Sequence, residues 1–171
     1  MGTKPNINEE KDTLVKPSLA DYGLLAGLFI YPENEAYKMK VREVYHYLFT
    51  AFPDAASSLK AFIDFAEDSS IVEIQELFLR SFDVQAITTL DIGFILFGED
   101  YKRGKLLVHL NEEHRKAANN CETELSDHLP NLLRLLPKVE DEGTQAEIAV
   151  LLLLPAVEKM ISEFSIEKIV F

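Results

Sequence analysis

Apolar positions recur along this chain at intervals of three and four residues, the spacing that gathers side chains on one face of an α-helix. No segment shows the sustained two-residue alternation, closed by Asn-Gly or Gly-Asn turns, that a β-hairpin needs. The pattern predicts an all-α protein: a single-domain helical bundle over residues 18–171, preceded by a polar tail over residues 1–17. Ser18 is placed to cap a first helix with Leu24, Leu25, Leu28 and Phe29 on its inner face, ended by Tyr31-Pro32. A second is predicted from about Glu35 to Phe52, burying Val41, Val44, Tyr45, Leu48 and Phe49; Pro53 stops it and Asp54 caps a third. That third helix presents Leu59, Phe62, Ile63 and Ala66 and ends near Asp68. Ser70 and Glu73 have the spacing of a capping box for a fourth, which carries Ile71, Ile74, Leu77 and Phe78.

A short, very apolar fifth helix is predicted from about Ile87 to Phe97, closing at Gly98. The sixth, from about Tyr101 to Ala118, turns Leu106, Leu107, Leu110 and Ala117 inward and breaks at Asn119-Asn120. Asp127, ahead of His128, Leu129 and Pro130, has the position of an N-cap for a seventh helix ending at Pro137. After an acidic linker from Glu140 to Gly143, Thr144 and Glu147 read as the capping box of a last helix, kinked at Pro155. No fixed-period repeat and no low-complexity tract interrupts this order.

Charge narrows the possible partners. Seventeen Lys and Arg stand against 29 Asp and Glu, a formal charge of −12. Phosphate backbones and anionic membranes are held chiefly by Lys and Arg, so general nucleic-acid and membrane-surface binding are disfavoured, whereas a basic peptide is attracted. The single cysteine, Cys121, rules out an intramolecular disulfide and any multi-cysteine metal site, and the chain reads as intracellular, with a cytoplasmic location expected. The first 17 residues lack the apolar stretch of a secretory signal. The most apolar runs, Leu24 to Ile30 and Ile148 to Val157, fall short of the roughly 18 residues needed to cross a bilayer.

Catalytic motifs are sparse. Glu43 and His46 form one Glu-x-x-His pair, but a di-iron site in a bundle needs a second, and none exists; the pair reads as a solvated helix face. His109 and His114, five residues apart, lie about 140° apart around a helix and cannot share one metal ion from that helix alone. There is no Gly-rich phosphate loop, nucleophile elbow or Cys-x-x-Cys. Gly23 and Gly27 read as a site of close helix packing, and Cys121, with no basic neighbour in sequence, as an inert thiol.

Several short stretches, taken in order, carry a resemblance. These are Tyr31-Pro32, Glu76-Leu77-Phe78, Leu96-Phe97-Gly98-Glu99, Arg103-Gly104, and Glu124-Leu125-Ser126-Asp127-His128-Leu129-Pro130. Their order and spacing resemble the TorD/NarJ-like chaperones that assemble molybdenum oxidoreductases, and most of all the nitrate reductase delta-subunit (NarJ-type) branch. The likeness covers about residues 70–137 and extends more weakly back to Leu19. The chain departs from the family pattern at Ile74, Leu79, Ser126 and Arg134, while the Asp127-His128 pair is intact.

The resemblance implies a non-catalytic chaperone without a resident cofactor. Its partner would be the N-terminal segment of a molybdopterin oxidoreductase catalytic subunit, a twin-arginine leader or its remnant, held while the molybdenum cofactor is inserted. Candidate peptide-binding residues are Leu77, Phe78, Asp91, Phe94, Glu99, Arg103, Glu124, Asp127 and His128. Each also has a structural reading: Phe78, Phe94 and Phe97 as core, Asp91 as a cap near Thr88 or Thr89, Glu99 and Arg103 as an i, i+4 ion pair, and Asp127 as an N-cap. An unrelated helical interaction module, or a helical metalloenzyme, stays open beside the chaperone, as does the choice between monomer and dimer.

Overall fold

The computed structural model describes residues 21–167. Ser18, the tail over residues 1–17 and the apolar Ile169, Val170 and Phe171 lie outside the described residues. Within them the chain is all-α, and its only β-type pairing is an isolated antiparallel bridge between Asp91 and His128. No helix among the described residues is long and apolar enough to cross a membrane.

Helix α1 (Tyr22–Leu25) tightens into a 3-10 turn (Ala26–Phe29) before the buried Pro32 ends it. Helices α2 (Ala36–Ala51) and α3 (Pro53–Asp68) pack as an antiparallel pair joined at Phe52. Pro53 opens α3 instead of merely stopping α2: its missing N–H is one that a first turn leaves unbonded anyway, and Asp54 sits inside that turn instead of capping it. Tyr37, Val41, Ile63, Ala66 and Ile74 form one apolar cluster, and Val44, Leu48 and Ala56 a second. Phe49, expected inside, is 62% exposed, because the buried stripe of α2 runs through Val41, Val44 and Leu48 and leaves Phe49 on its flank. Helix α4 (Ile71–Phe82) begins with the expected capping box: Glu73 N–H donates to Ser70 Oγ, and Ser70 N–H to Glu73 Oε2 at 2.7 Å.

Helix α5 is shorter than its apolar run. It covers Ile92–Phe97, while residues 87–91 are not helical; Gly98, at φ +62°, closes it. Helix α6 (Tyr101–Lys116) is capped by Asp100 and ends on Ala118 in the left-handed region (φ 48°), ahead of the expected Asn119-Asn120 break. Helix α7 (Leu129–Leu135) continues as a 3-10 turn (Leu136–Lys138). The supposed acidic linker is itself structured: Asp141, not Thr144, caps α8 (Glu142–Ala146) by accepting from Thr144 N–H at 2.7 Å. A π-helical stretch (Glu147–Leu153) then leads into α9 (Leu154–Glu167). Pro155 has no N–H to return to the carbonyl four residues back, and the ladder just before it runs at the wider i→i+5 spacing.

The largest core gathers around α7. Leu129, Leu132, Leu135 and Leu136 are buried against Leu90, Ile92 and Ile95 on one side and Ile148, Leu153, Ala156 and Met160 on the other. Full burial of such a leucine stabilises by about 1.5–3 kcal/mol, so α7 contributes heavily to this cluster, while α2, α3 and α4 pack around the two smaller ones. Gly23 and Gly27 do not serve helix packing as expected. A methyl at Gly23 would meet nothing within 4 Å, and one at Gly27 only the Lys40 side chain at 3.7 Å; it is Ala26, between them, that enters the core.

Candidate functional site

The site begins with a stitch between two distant segments. Leu129 N–H donates to Leu90 O at 2.8 Å and Ile92 N–H to Asp127 O at 3.0 Å, which brings the loop before α7 against the start of α5. The pairing holds Asp91 extended (φ −83°, ψ 97°), and residues 87–91 stay outside the helix predicted from about Ile87. The same stitch turns the Asp127 side chain inward. Its carboxylate is fully buried, accepts Gly93 N–H at 3.1 Å and receives Arg103 Nε at 3.0 Å. His128, one residue on, takes the N-cap position of α7, so Asp127 is not the cap. Nor does Asp127 offer a surface to a peptide; it is a positioning residue.

Arg103 joins two carboxylates. Nη2 donates to Asp91 Oδ2 at 3.0 Å while Nε serves Asp127, and the guanidinium lies 5.5 Å from the centre of the Phe94 ring. The expected pair with Glu99 is therefore replaced: Glu99 is exposed, and the guanidinium is drawn to the less hydrated carboxylates. Asp91 in turn accepts from His128 Nδ1 at 3.0 Å. An ionised carboxylate only accepts, so Nδ1 carries the proton of that bond. The His128 hydrogen bond, with the charges of His128 and Arg103, holds Asp91 below the usual carboxylate range against the opposing effect of burial. Burial works against the charged form of Arg103, and the bonds and charges of Asp127 and Asp91 outweigh it, leaving the group held up. Asp91 occupies the residue before α5 but makes no side-chain capping bond; instead Thr89 Oγ accepts its N–H at 3.2 Å.

A second polar chain holds the loop from below. His114, buried on α6, donates Nε2–H to Ser126 O at 2.9 Å; a carbonyl cannot donate, which fixes the tautomer. Nδ1 is left to accept from Asn119 Nδ2 at 2.9 Å, and Lys138 Nζ, donating to Asn119 Oδ1 at 2.7 Å, sets the orientation of that amide. Asn131 Nδ2 donates to Leu125 O at 2.9 Å. Burial, with the charge of Lys138, pushes His114 below the ordinary histidine value despite the Ser126 bond. In the sequence His114 reads only as half of a failed metal pair, Asn119 as part of a helix break and Ser126 as a departure from a motif, while Asn131 and Lys138 carry no signal.

Four of the candidates line one groove of about 630 Å³: Phe78, Asp91, Glu124 and His128. Its aromatic wall is Phe29, Tyr31, Phe78 and Phe82, with Tyr31 edge-on to Phe78 at 5.6 Å. Five carboxylates, Glu33, Asp83, Asp91, Glu122 and Glu124, face one arginine, Arg134. Cys121 also lines it; burial pushes the thiol up, opposed by Arg134, so the cysteine has the basic neighbour in space that it lacks in sequence. The remaining candidates lie elsewhere. Leu77 lines an adjoining apolar pocket of about 320 Å³, which shares Phe29, Phe78 and Phe82 with the groove. Phe94 and Phe97, 41% and 36% exposed, are surface rings and not core.

Glu43 and His46 are both exposed, and among the described residues no group of three or more His, Cys, Asp or Glu is placed to hold a metal ion. Compared with protein-family models, with curated proteins and with solved structures, the chain matches none.

Proposed function

We propose that the chain is a client-binding chaperone of the TorD/NarJ-like kind, working in the cytoplasm. Its groove takes up the N-terminal segment of a molybdopterin oxidoreductase catalytic subunit, a twin-arginine leader or its remnant, and the apoprotein is held while its molybdenum cofactor is inserted, ahead of export or membrane docking. One observation carries the reading: Phe78, Asp91, Glu124 and His128, from separate stretches of the chain, meet along one groove with aromatic walls and an acidic rim. Such a groove suits a peptide in which apolar anchors stand beside arginines. Arginine pairs with carboxylates through two parallel hydrogen bonds and also stacks on aromatic rings, and both partners are present. Three or four buried anchors at about 1.5–3 kcal/mol each are largely offset by the cost of ordering the peptide and of association, which leaves a modest affinity that permits release.

The test is calorimetric titration of the full chain with synthetic N-terminal peptides of molybdopterin oxidoreductase catalytic subunits, at about 50 and 300 mM salt. Binding should weaken roughly tenfold at the higher salt, and the exposed double variant Glu122→Gln/Glu124→Gln should weaken it about three- to tenfold at the lower. Affinity that ignores both salt and these substitutions refutes the electrostatic half of the reading. If no peptide binds, and the client acquires its cofactor normally in cells lacking this chain, the chaperone reading falls and a general helical interaction module is left.

A further inference from the structure

The apolar pocket beside the groove has a different character. It is walled by six aromatic rings, Phe29, Tyr37, Phe62, Phe78, Phe82 and Phe164, and among the described residues no charged side chain lines it, in a chain of which 27% is charged. Two polar side chains reach it. The Tyr37 hydroxyl is committed, donating to Leu28 O at 2.8 Å. Ser81 is not: the residue is only 6% exposed, lines the pocket, and its hydroxyl makes no hydrogen bond among the described residues. The Ser81 oxygen is not sealed off, since Thr88 Oγ1 is the one fully enclosed side-chain polar atom without a partner among the described residues; a helical serine usually bonds back to its own helix, and Ser81 does not.

We propose that this pocket binds a neutral small aromatic molecule bearing one hydrogen-bonding oxygen, with the ring system among the phenylalanines and the oxygen on Ser81. The occupant's chemistry follows from what the walls lack. A charged ligand would shed its hydration with no counter-ion to receive it. A peptide main chain would bring several amide groups to a wall that can satisfy one. Edge-on ring pairs at 6.2 Å (Phe29 and Phe82), 5.3 Å (Phe78 and Phe82) and 6.1 Å (Phe82 and Phe164) form the kind of surface on which a planar ring continues the packing. A volume of about 320 Å³ is at the lower end of small-molecule sites, enough for two fused rings. The two cavities share the rings of Phe29, Phe78 and Phe82, but Tyr37, Phe62, Ser81 and Phe164 line the pocket alone, so an oxygen held on Ser81 is a claim separate from the peptide reading.

The chain contains no Trp, so a naphthyl probe can be followed by its own fluorescence. Full-length protein is titrated with 2-naphthol, naphthalene and naphthalene-2-sulfonate. 2-Naphthol should saturate with a dissociation constant below about 100 µM. Naphthalene, lacking the oxygen, should bind about three- to tenfold more weakly, and the sulfonate at least roughly tenfold more weakly. In Ser81→Ala, 2-naphthol and naphthalene should become equal; the wild-type series of three probes decides the matter even where that variant fails to fold. No saturable 2-naphthol binding, equal binding of the sulfonate, or a naphthol preference that survives Ser81→Ala overturns the proposal. So does binding that appears only once residues 168–171 are deleted, or only on dilution of a dimer, since the pocket would then belong to the chain's own tail or to a second copy.

Discussion

A methyl group added at Gly93 would sit 2.6 Å from Asp127 Oδ2, 3.1 Å from Leu106 Cδ2 and 3.2 Å from Arg103 Cγ. The glycine is there for close approach: it lets the backbone N–H of α5 reach a carboxylate that Arg103 already holds. Leu106 and Arg103 have some freedom to give way, but Asp127 is fixed by bonds from two elements and has no exposed surface into which to move. Gly93→Ala should therefore destabilise the protein by at least about 2 kcal/mol, read from the urea midpoint. Gly23→Ala, with nothing within 4 Å of the added methyl, should cost nothing and can gain a few tenths from helix propensity. Equal midpoints for the two variants would mean that Asp127 is not held as tightly as its bonds imply. The contrast also marks where sequence reading stopped. The Gly-x-x-x-Gly spacing at Gly23 is conspicuous and does no packing, while Gly93 looks like one small residue in an apolar run, because the carboxylate it accommodates lies 34 residues away.

At the scale of elements, the helices that were legible are those whose capping and burial are both local. The Ser70–Glu73 box needs no information from beyond the helix and stands where its spacing puts it; of the apolar stripe of α4, Ile74 is buried as its spacing predicts, while Leu77 is 40% exposed. The start of α5 and the cap of α7 were misread for one shared reason. The backbone of residues 90–92 pairs with residues 127–129, which pulls the first segment out of helix and turns Asp127 away from the cap position. The motif residues Arg103, Asp127 and His128 were named from sequence, but their division of labour, with Asp127 buried behind and His128 at the groove, is a tertiary property. The end of α6 offers a test of a purely local feature. Ala118 sits at φ 48°, where a Cβ is strained and Gly is not, and its own side chain is exposed. Ala118→Gly should raise stability by about 0.5–1 kcal/mol, seen as a higher melting temperature with unchanged helical circular dichroism. A loss would place the native backbone there outside the left-handed region.

For the whole molecule, the perturbed groups together set how stability follows pH. His114 is held below its ordinary value of 6.5, so as pH falls past 6.5 the unfolded chain takes up a proton that the folded chain refuses. Stability then declines until the folded-state value is passed, below which the loss is complete. Protonation of Nδ1 also ends its acceptance from Asn119 and leaves two facing donors beside Lys138. A second, lower limb comes from Asp91, Glu73 and Asp141, whose folded values lie below 3.8, 4.5 and 3.8. Their contribution is present above those figures and is lost as pH drops through the folded values. On the alkaline side Tyr37 is pushed up to about 12 by burial, so above pH 10.0 the unfolded chain ionises first and stability falls again. The urea midpoint should therefore be flat from about pH 7 to 9, slope gently downward below 6.5 and fall more steeply below about 4.5. In His114→Gln the side-chain amide can still donate to Ser126 O but cannot titrate. That variant should lose the gentle slope and keep the steep acid limb, at a midpoint lower than wild type near neutrality. A wild-type midpoint unchanged between pH 7 and 5, or the same slope in both proteins, would show that His114 accepts a proton in the fold as readily as in the unfolded chain, and that the polar chain beneath the Asp127 loop is looser than its hydrogen bonds indicate.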